Sequence, residues 1–199
     1  MPNQRLPVFD RFIADLRAIW AVEPDDERRM KRAQPLLHGL VTDEALKSHS
    51  ASWPSTEGRK NLLFYADPDY GFVINGVVRM PGRTGSIHDH ADAWVLYAVV
   101  DGTESLERFE RIDDGSRPGY AEVKLSSVTT GSQGKVDLVA PRSIHAEQGG
   151  PTRSVAVIVR SQKLGEGTVL QHQYDRAANT VVERYGPTQI PYELAILAA

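Results

Sequence analysis

Residues 82–102 read GRTGSIHDHADAWVLYAVVDG, and the fold turns on this stretch. His88 and His90 flank Asp89, and an apolar run from Trp94 to Val100 follows. Side chains of an extended chain alternate faces, so His88 and His90 point together and Asp89 points the other way. Two imidazoles on one face can share a divalent metal but cannot complete its coordination sphere, so a third ligand has to come from elsewhere. The best candidate is His145, in APRSIHAEQGG, which follows the run Lys135 to Val139 and the Pro141 turn and so also stands at a strand end. With no cysteine in the chain, an imidazole set favours Fe, Zn, Cu, Ni or Mn over soft thiolate clusters.

Around this stretch the texture is that of short strands. Runs at Leu62 to Tyr65, Phe72 to Arg79, Trp94 to Val100, Ser105 to Ile112, Ala121 to Thr129, Lys135 to Val139, Ser154 to Arg160, Val169 to Tyr174 and Thr180 to Tyr185 alternate with DPDYG, PGRTG, DDGSRPG, TTGSQG and GGPT. Gly, Pro and Asp supply turn conformations, and many short strands at regular spacing predict an antiparallel sandwich or barrel. Upstream the period changes. Phe9, Phe12, Ile13, Leu16 and Trp20 fall at helical spacing, Glu23-Pro24 interrupts, and Asp25 or Asp26 can cap a second helix to about Leu37. A third short helix starts at Thr42 or Asp43 and carries Leu46. The expected organisation is a single domain, with a helical cap over 1–58 and a β-barrel over 59–199.

Composition sets bounds on function. The 199 residues suffice for one sizeable core, and a formal charge of -3 with interspersed signs gives no basic stripe for nucleic acid or an acidic membrane. Absence of cysteine removes disulfides, thiolate ligands and a cysteine nucleophile. MPNQRLPVFDRFIADLRAIW carries charges through its apolar part, unlike a secretory signal, and no apolar run is long enough to span a bilayer. The expectation is a soluble cytoplasmic protein with neither nucleic acid nor membrane as a partner; its oligomeric state is left open.

The glycines sharpen the histidine pair. Gly82, His88, His90 and Gly102 match the spacing of the first cupin motif, G-x5-H-x-H-x4-E-x6-G, except that Val95 stands at the glutamate position. Residues 134–145 loosely resemble the second motif, with Pro141 four residues before His145, Ser143 for the usual glycine and Gly149 for the usual asparagine. Val95 cannot ligate. Three neutral imidazoles would leave a divalent ion with its full charge and about three open positions. Asp92, Glu147 and Gln148 are close enough in sequence to add an oxygen ligand, and Asp89 to orient an imidazole, although solvated roles are as compatible with the pattern.

The chain further resembles the cysteine dioxygenase-like branch of the cupins, the thiol dioxygenases. SIHDH with its spacing to VVDG carries this likeness, together with RKNLLFYADPDYGF upstream and QHQYDRAANTVVERYGPTQIP near the C-terminus. The resemblance spans about Arg59 to Pro191. It implies a cupin barrel with a helical cap and mononuclear Fe(II) held by His88, His90 and His145. It also implies that Arg59 holds a substrate carboxylate, with Lys60 as the alternative one residue on; a guanidinium fork suits that task. The family's Ser-x-His-x-Tyr triad is missing, since the matching strand reads SVAVIVRS, and no cysteine is present for a Cys-Tyr crosslink. A phenol would have to come from Tyr97, Tyr174 or Tyr185, and an imidazole from His172. Trp94 is expected to wall the pocket.

The implied activity is that of a non-haem Fe(II) three-histidine dioxygenase converting a small thiol carboxylate to a sulfinic acid. Alternatives from the same residues are a cupin dioxygenase cleaving a C–C bond in a non-thiol substrate, and a non-catalytic metal- or ligand-binding cupin. Zn, Ni or Mn could stand in place of Fe(II), and a metal-assisted isomerase or hydrolase using zinc or manganese is a further alternative. A purely structural metal is disfavoured, because structural sites usually close with four ligands.

Overall fold

A computed structural model describes residues 5–162 and 171–195. Three helices open the chain: α1 (Pro7–Val22), α2 (Asp26–Val41) and α3 (Glu44–Ser50). Pro7 sits at the start of α1, where its missing N–H is not needed. The Asp25 carboxylate caps α2 by accepting from Arg28 N at 2.9 Å, and Asp43 caps α3 by accepting from the N–H groups of Ala45 and Leu46. The second helix runs a turn past the expected end at Leu37, because Leu40 and Val41 are buried with Met30, Ala33 and Leu37.

Twelve strands follow: β1 (Lys60–Ala66), β2 (Val73–Arg79), β3 (Ile87–His88), β4 (Val95–Asp101), β5 (Thr103–Arg111), β6 (Val123–Ser132), β7 (Val136–Val139), β8 (Ile144–Gly149), β9 (Ser154–Arg160), β10 (Gln171–Asp175), β11 (Thr180–Arg184) and β12 (Thr188–Pro191). Nine correspond to the expected runs; of the run Val169 to Tyr174, residues 169 and 170 lie outside the described residues. The additional strands are β3, β8 and β12. Their sequences, IH, IHAEQG and TQIP, lack the β-branched density that marks a strand, and neighbours rather than propensity hold them extended.

The strands form two six-stranded sheets, ordered β12-β1-β2-β9-β4-β7 and β11-β10-β3-β8-β5-β6. Every pairing is antiparallel except β1 with β12, which is parallel. The chain is mainly β, a double-sheet barrel with a helical cap.

Period-2 alternation sorts the first sheet into two faces. Leu62, Phe64, Ile74, Val78, Leu96, Ala98, Val100, Val155, Val157 and Val159 pack outward against Phe9, Phe12, Leu16, Met30, Leu37 and Leu46 of the helices. Val77, Val95, Tyr97, Val99, Ala156 and Ile158 face inward with Leu106 and Val139. Burial on both faces explains why β2, β4 and β9 read as nearly continuous apolar runs. The second sheet closes its outer face with Phe109, Ala121, Val123, Ile144, Ala146 and Tyr174. Gly102 joins β4 to β5 at φ +76, and a Cβ there would meet Arg153 O at 2.4 Å. Turn conformation and close packing both require glycine at this position.

Candidate metal centre

The histidines meet on the inner face of the second sheet. His88 on β3 pairs in register with His145 on β8, and His90 follows two residues later. Their ring centroids lie 4.4 to 4.9 Å apart, and one nitrogen from each falls within 4.8 Å of the other two. His90 and His145 are buried, at 4% and 2% exposure. The loop that positions them is pinned from both sides: Ala91 at φ 48 accepts from Arg142 N at 2.8 Å, and Arg142 itself lies at φ 59 in the Pro141 turn.

The hydrogen bonds of two rings suit coordination. His88 Nδ1 lies 2.9 Å from Ser86 O, and His145 Nδ1 lies 2.8 Å from Ser143 O. A carbonyl can only accept, so the proton sits on Nδ1 and the Nε2 lone pair is left free. His145 Nε2 is buried and has no hydrogen-bond partner among the described residues, as expected of a ligand atom. Burial, then neighbouring His145, lowers His88 to about 4, and burial, then Arg160, pulls His90 well below its ordinary value. Both rings are therefore neutral near pH 7, the state a metal needs. His90 differs in one respect. Its Nδ1 lies 2.9 Å from Nη1 of Arg160, which can only donate, so the proton of the neutral ring resides on Nε2. Coordination through that nitrogen requires Arg160 to turn aside and the proton to leave. The set as a whole is one that can hold a metal ion.

A cavity of about 380 Å³ opens in front of the histidines. Arg59, Lys60, Val95, Tyr97, Glu147 and Arg160 are among its walls. Arg59 stands just before β1 and donates to Gln171 Oε1 at 3.0 Å and to Tyr185 O at 2.8 Å. Tyr97 donates to Glu104 and accepts from Arg79, and burial pushes its phenol well above the ordinary value, so it keeps its proton. Of Asp92, Glu147 and Gln148, it is Glu147 that reaches the histidines, with Oε1 3.3 Å from His145 Nε2 and Oε2 3.5 Å from Arg79 Nη2. Burial works to raise its carboxyl, but neighbouring His145 and Arg79 outweigh that and hold it below the usual range.

Several expected residues face elsewhere, and strand parity is the reason. Trp94 packs against the helical core instead of walling the pocket; Val95, next on the chain, takes the inner position. His172 and Tyr174 lie on the outer face of β10, while Gln171 and Gln173 line the cavity. Asp89 points outward as expected, but it serves none of the three histidines. It is 2% exposed and receives Tyr174 Oη, His172 N and Ala91 N at 2.9 to 3.0 Å, with His172 Nδ1 also at 3.0 Å. Tyr185 is 67% exposed. Asp92 is held on the surface by Arg142, and Gln148 by Gly85 N and Glu107. Arg79 and Arg160 were not singled out by sequence reading. Their signal is a charge at an inward position in the apolar strands VINGVVR and SVAVIVR.

No protein-family model matches the chain. Solved structures that resemble it are cupin, or double-stranded β-helix, proteins. A recombinant oxalate oxidase in complex with glycolate is 22% identical with a TM-score of 0.38, over 46% of this chain and 42% of that one. An uncharacterised conserved protein with a double-stranded β-helix domain from Klebsiella pneumoniae is 16% identical with a TM-score of 0.41, over 56% and 80%. The Cnp3 cupin domain of Schizosaccharomyces pombe is 7% identical with a TM-score of 0.41, over 52% and 60%. Likeness at this level carries no activity across, and the fold stands on sheet order and register.

Proposed function

We propose that the protein is a non-haem Fe(II) three-histidine dioxygenase that oxidises a small thiol carboxylate to a sulfinic acid. The balance is RSH + O2 → RSO2H, with both oxygen atoms passing to sulfur, which is oxidised as O2 is reduced. The observation that carries the reading is the convergence of His88, His90 and His145 at a cavity of small-molecule size with cationic walls. Bound at the histidines, the metal supplies the redox chemistry that lets O2 react with the thiol. The chain's own residues position and enclose. Ser86 O and Ser143 O fix the two ring tautomers. Val95 and Ile158 give the cavity an apolar flank, and a carboxylate entering it meets arginines with no carboxylate partner among the described residues. Resemblance points to Arg59 for that contact.

The test is metal analysis with oxygen uptake on a panel of mercaptocarboxylic acids. One Fe(II) per chain with uptake supports the reading; zinc in the isolated protein and no uptake after iron reconstitution overturns it. Glu147 supports a second reading. A carboxylate beside His145 makes a three-histidine, one-carboxylate set that suits Mn as well as Fe, and a C–C bond cleavage in a non-thiol substrate.

A further inference from the structure

The charges around the cavity do not balance. Arg59, Lys60, Arg79, Arg83 and Arg160 line it, against Glu147 alone among carboxylates. Arg79 is answered by Glu104 and Glu147. Arg83 is spent on the carbonyl oxygens of Thr56 and Gly58, and Arg59 lies at an exposed position with neutral acceptors.

Arg160 is the unusual member. It ends β9 and is 2% exposed, and its side chain makes a single hydrogen bond among the described residues, from Nη1 to the neutral His90 ring. Its Nε is buried without a partner. A guanidinium keeps its charge at neutral pH. An uncompensated buried cation costs several kcal/mol, whereas one paired with an anion in good geometry does not. The charge sits beside the histidines and on the wall of the cavity.

We infer that Arg160 is the carboxylate anchor of this cavity, binding the acid group of a small organic acid next to His90, with Arg59 serving only the mouth. The inference rests on the proposed function only for the class of acid; the anchor itself needs neither thiol, metal nor oxygen. A bound carboxylate would take the guanidinium donors that now have no partner or rest on His90 Nδ1. It would also bring a negative charge into direct contact with the guanidinium, which Glu147, engaged with Arg79 and His145, does not supply. Placing the acid on Arg160 puts it directly beside His90.

The experiment is calorimetric titration of the metal-free protein with propionate, repeated on Arg160→Gln, Arg160→Lys and Arg59→Gln, with thermal unfolding of each. Saturable binding is expected in the wild type. Arg160→Gln should weaken it at least about tenfold, Arg160→Lys should weaken it by less, and Arg59→Gln should change it less than about threefold. Propionate should raise the melting temperature of the wild type but not of Arg160→Gln. If Arg160→Gln does not fold, Arg160→Lys decides by the same comparison with Arg59→Gln. Propionate binding that is absent in the wild type, or that survives Arg160→Gln and fails in Arg59→Gln, overturns the inference. Failure of oxygen uptake on the thiol panel leaves it standing. Oxygen uptake with an unchanged KM in Arg160→Gln removes this inference and spares the proposed function.

Discussion

Arg160 Nη1 lies 2.9 Å from His90 Nδ1, inside the protein and on the wall of the cavity. This contact places a cation against one member of a set of rings suited to hold another. A guanidinium and a divalent ion compete here in two ways, by charge repulsion and by fixing the His90 proton on the wrong nitrogen. Arg160→Gln is therefore expected to tighten divalent-metal binding in the absence of any organic acid, by roughly tenfold. Competition against a coloured chelator measures this. Unchanged or weaker affinity would show that the contact does not oppose the metal.

His145 stands closest to His88 of the three candidate ligands. It is paired in register with His88, and its Nε2 is buried with no hydrogen-bond partner among the described residues. His145→Ala is expected to reduce metal affinity by about 100-fold or more, while Asp92→Ala, on an exposed ion pair, leaves metal content unchanged. Elemental analysis of both proteins after loading with one equivalent of metal checks the contrast.

Glu147 separates the two readings of the site. If it ligates beside His145, Glu147→Gln loses metal affinity about tenfold; if it only orders Arg79 and His145, metal content holds and stability falls. A three-histidine site predicts the second outcome. The two measurements are a chelator titration and urea unfolding of the same variant.

Asp89 should matter for stability without belonging to the cavity. Burial works to raise its carboxyl, but the backbone N–H groups of Ala91 and His172 and the His172 ring hold it below its ordinary value of 3.8. A carboxyl depressed in the folded state contributes stability in full above the ordinary value, and that contribution is lost as pH falls below it. Asp89→Asn is expected to cost about 1–3 kcal/mol near pH 7 and to flatten the fall in stability below about pH 4. Denaturant unfolding across that range tests both parts.

The inner network of Arg79, Tyr97, Glu104 and Ser154 is buried and mutually satisfied. Removing Glu104 leaves buried Arg79 with the longer contact to Glu147. Glu104→Leu is expected to destabilise by roughly 3–5 kcal/mol and Tyr97→Phe by about 1–2, both read from urea midpoints at constant slope.

Much of this protein was legible from local pattern. Helical spacing over Phe9 to Trp20 marks the cap, period-2 runs and Gly-rich turns mark the barrel, and alternation alone puts His88 and His90 on one face with Asp89 on the other. These are properties of the chain within a few residues, set by backbone geometry and burial. What packs against a face is decided elsewhere in the sequence. The extended state of β3, β8 and β12 comes from pairing partners up to more than a hundred residues away, so their own composition does not announce it. Trp94 faces the core and Val95 the cavity because a one-residue change of parity turns a side chain from one to the other. Asp89 with His172, Glu147 with His145, and Arg160 with His90 are likewise products of sheet register. The sequence by itself determined which residues can bind a metal; the tertiary structure decided which charges surround them, because a charge is felt across space and not along the chain.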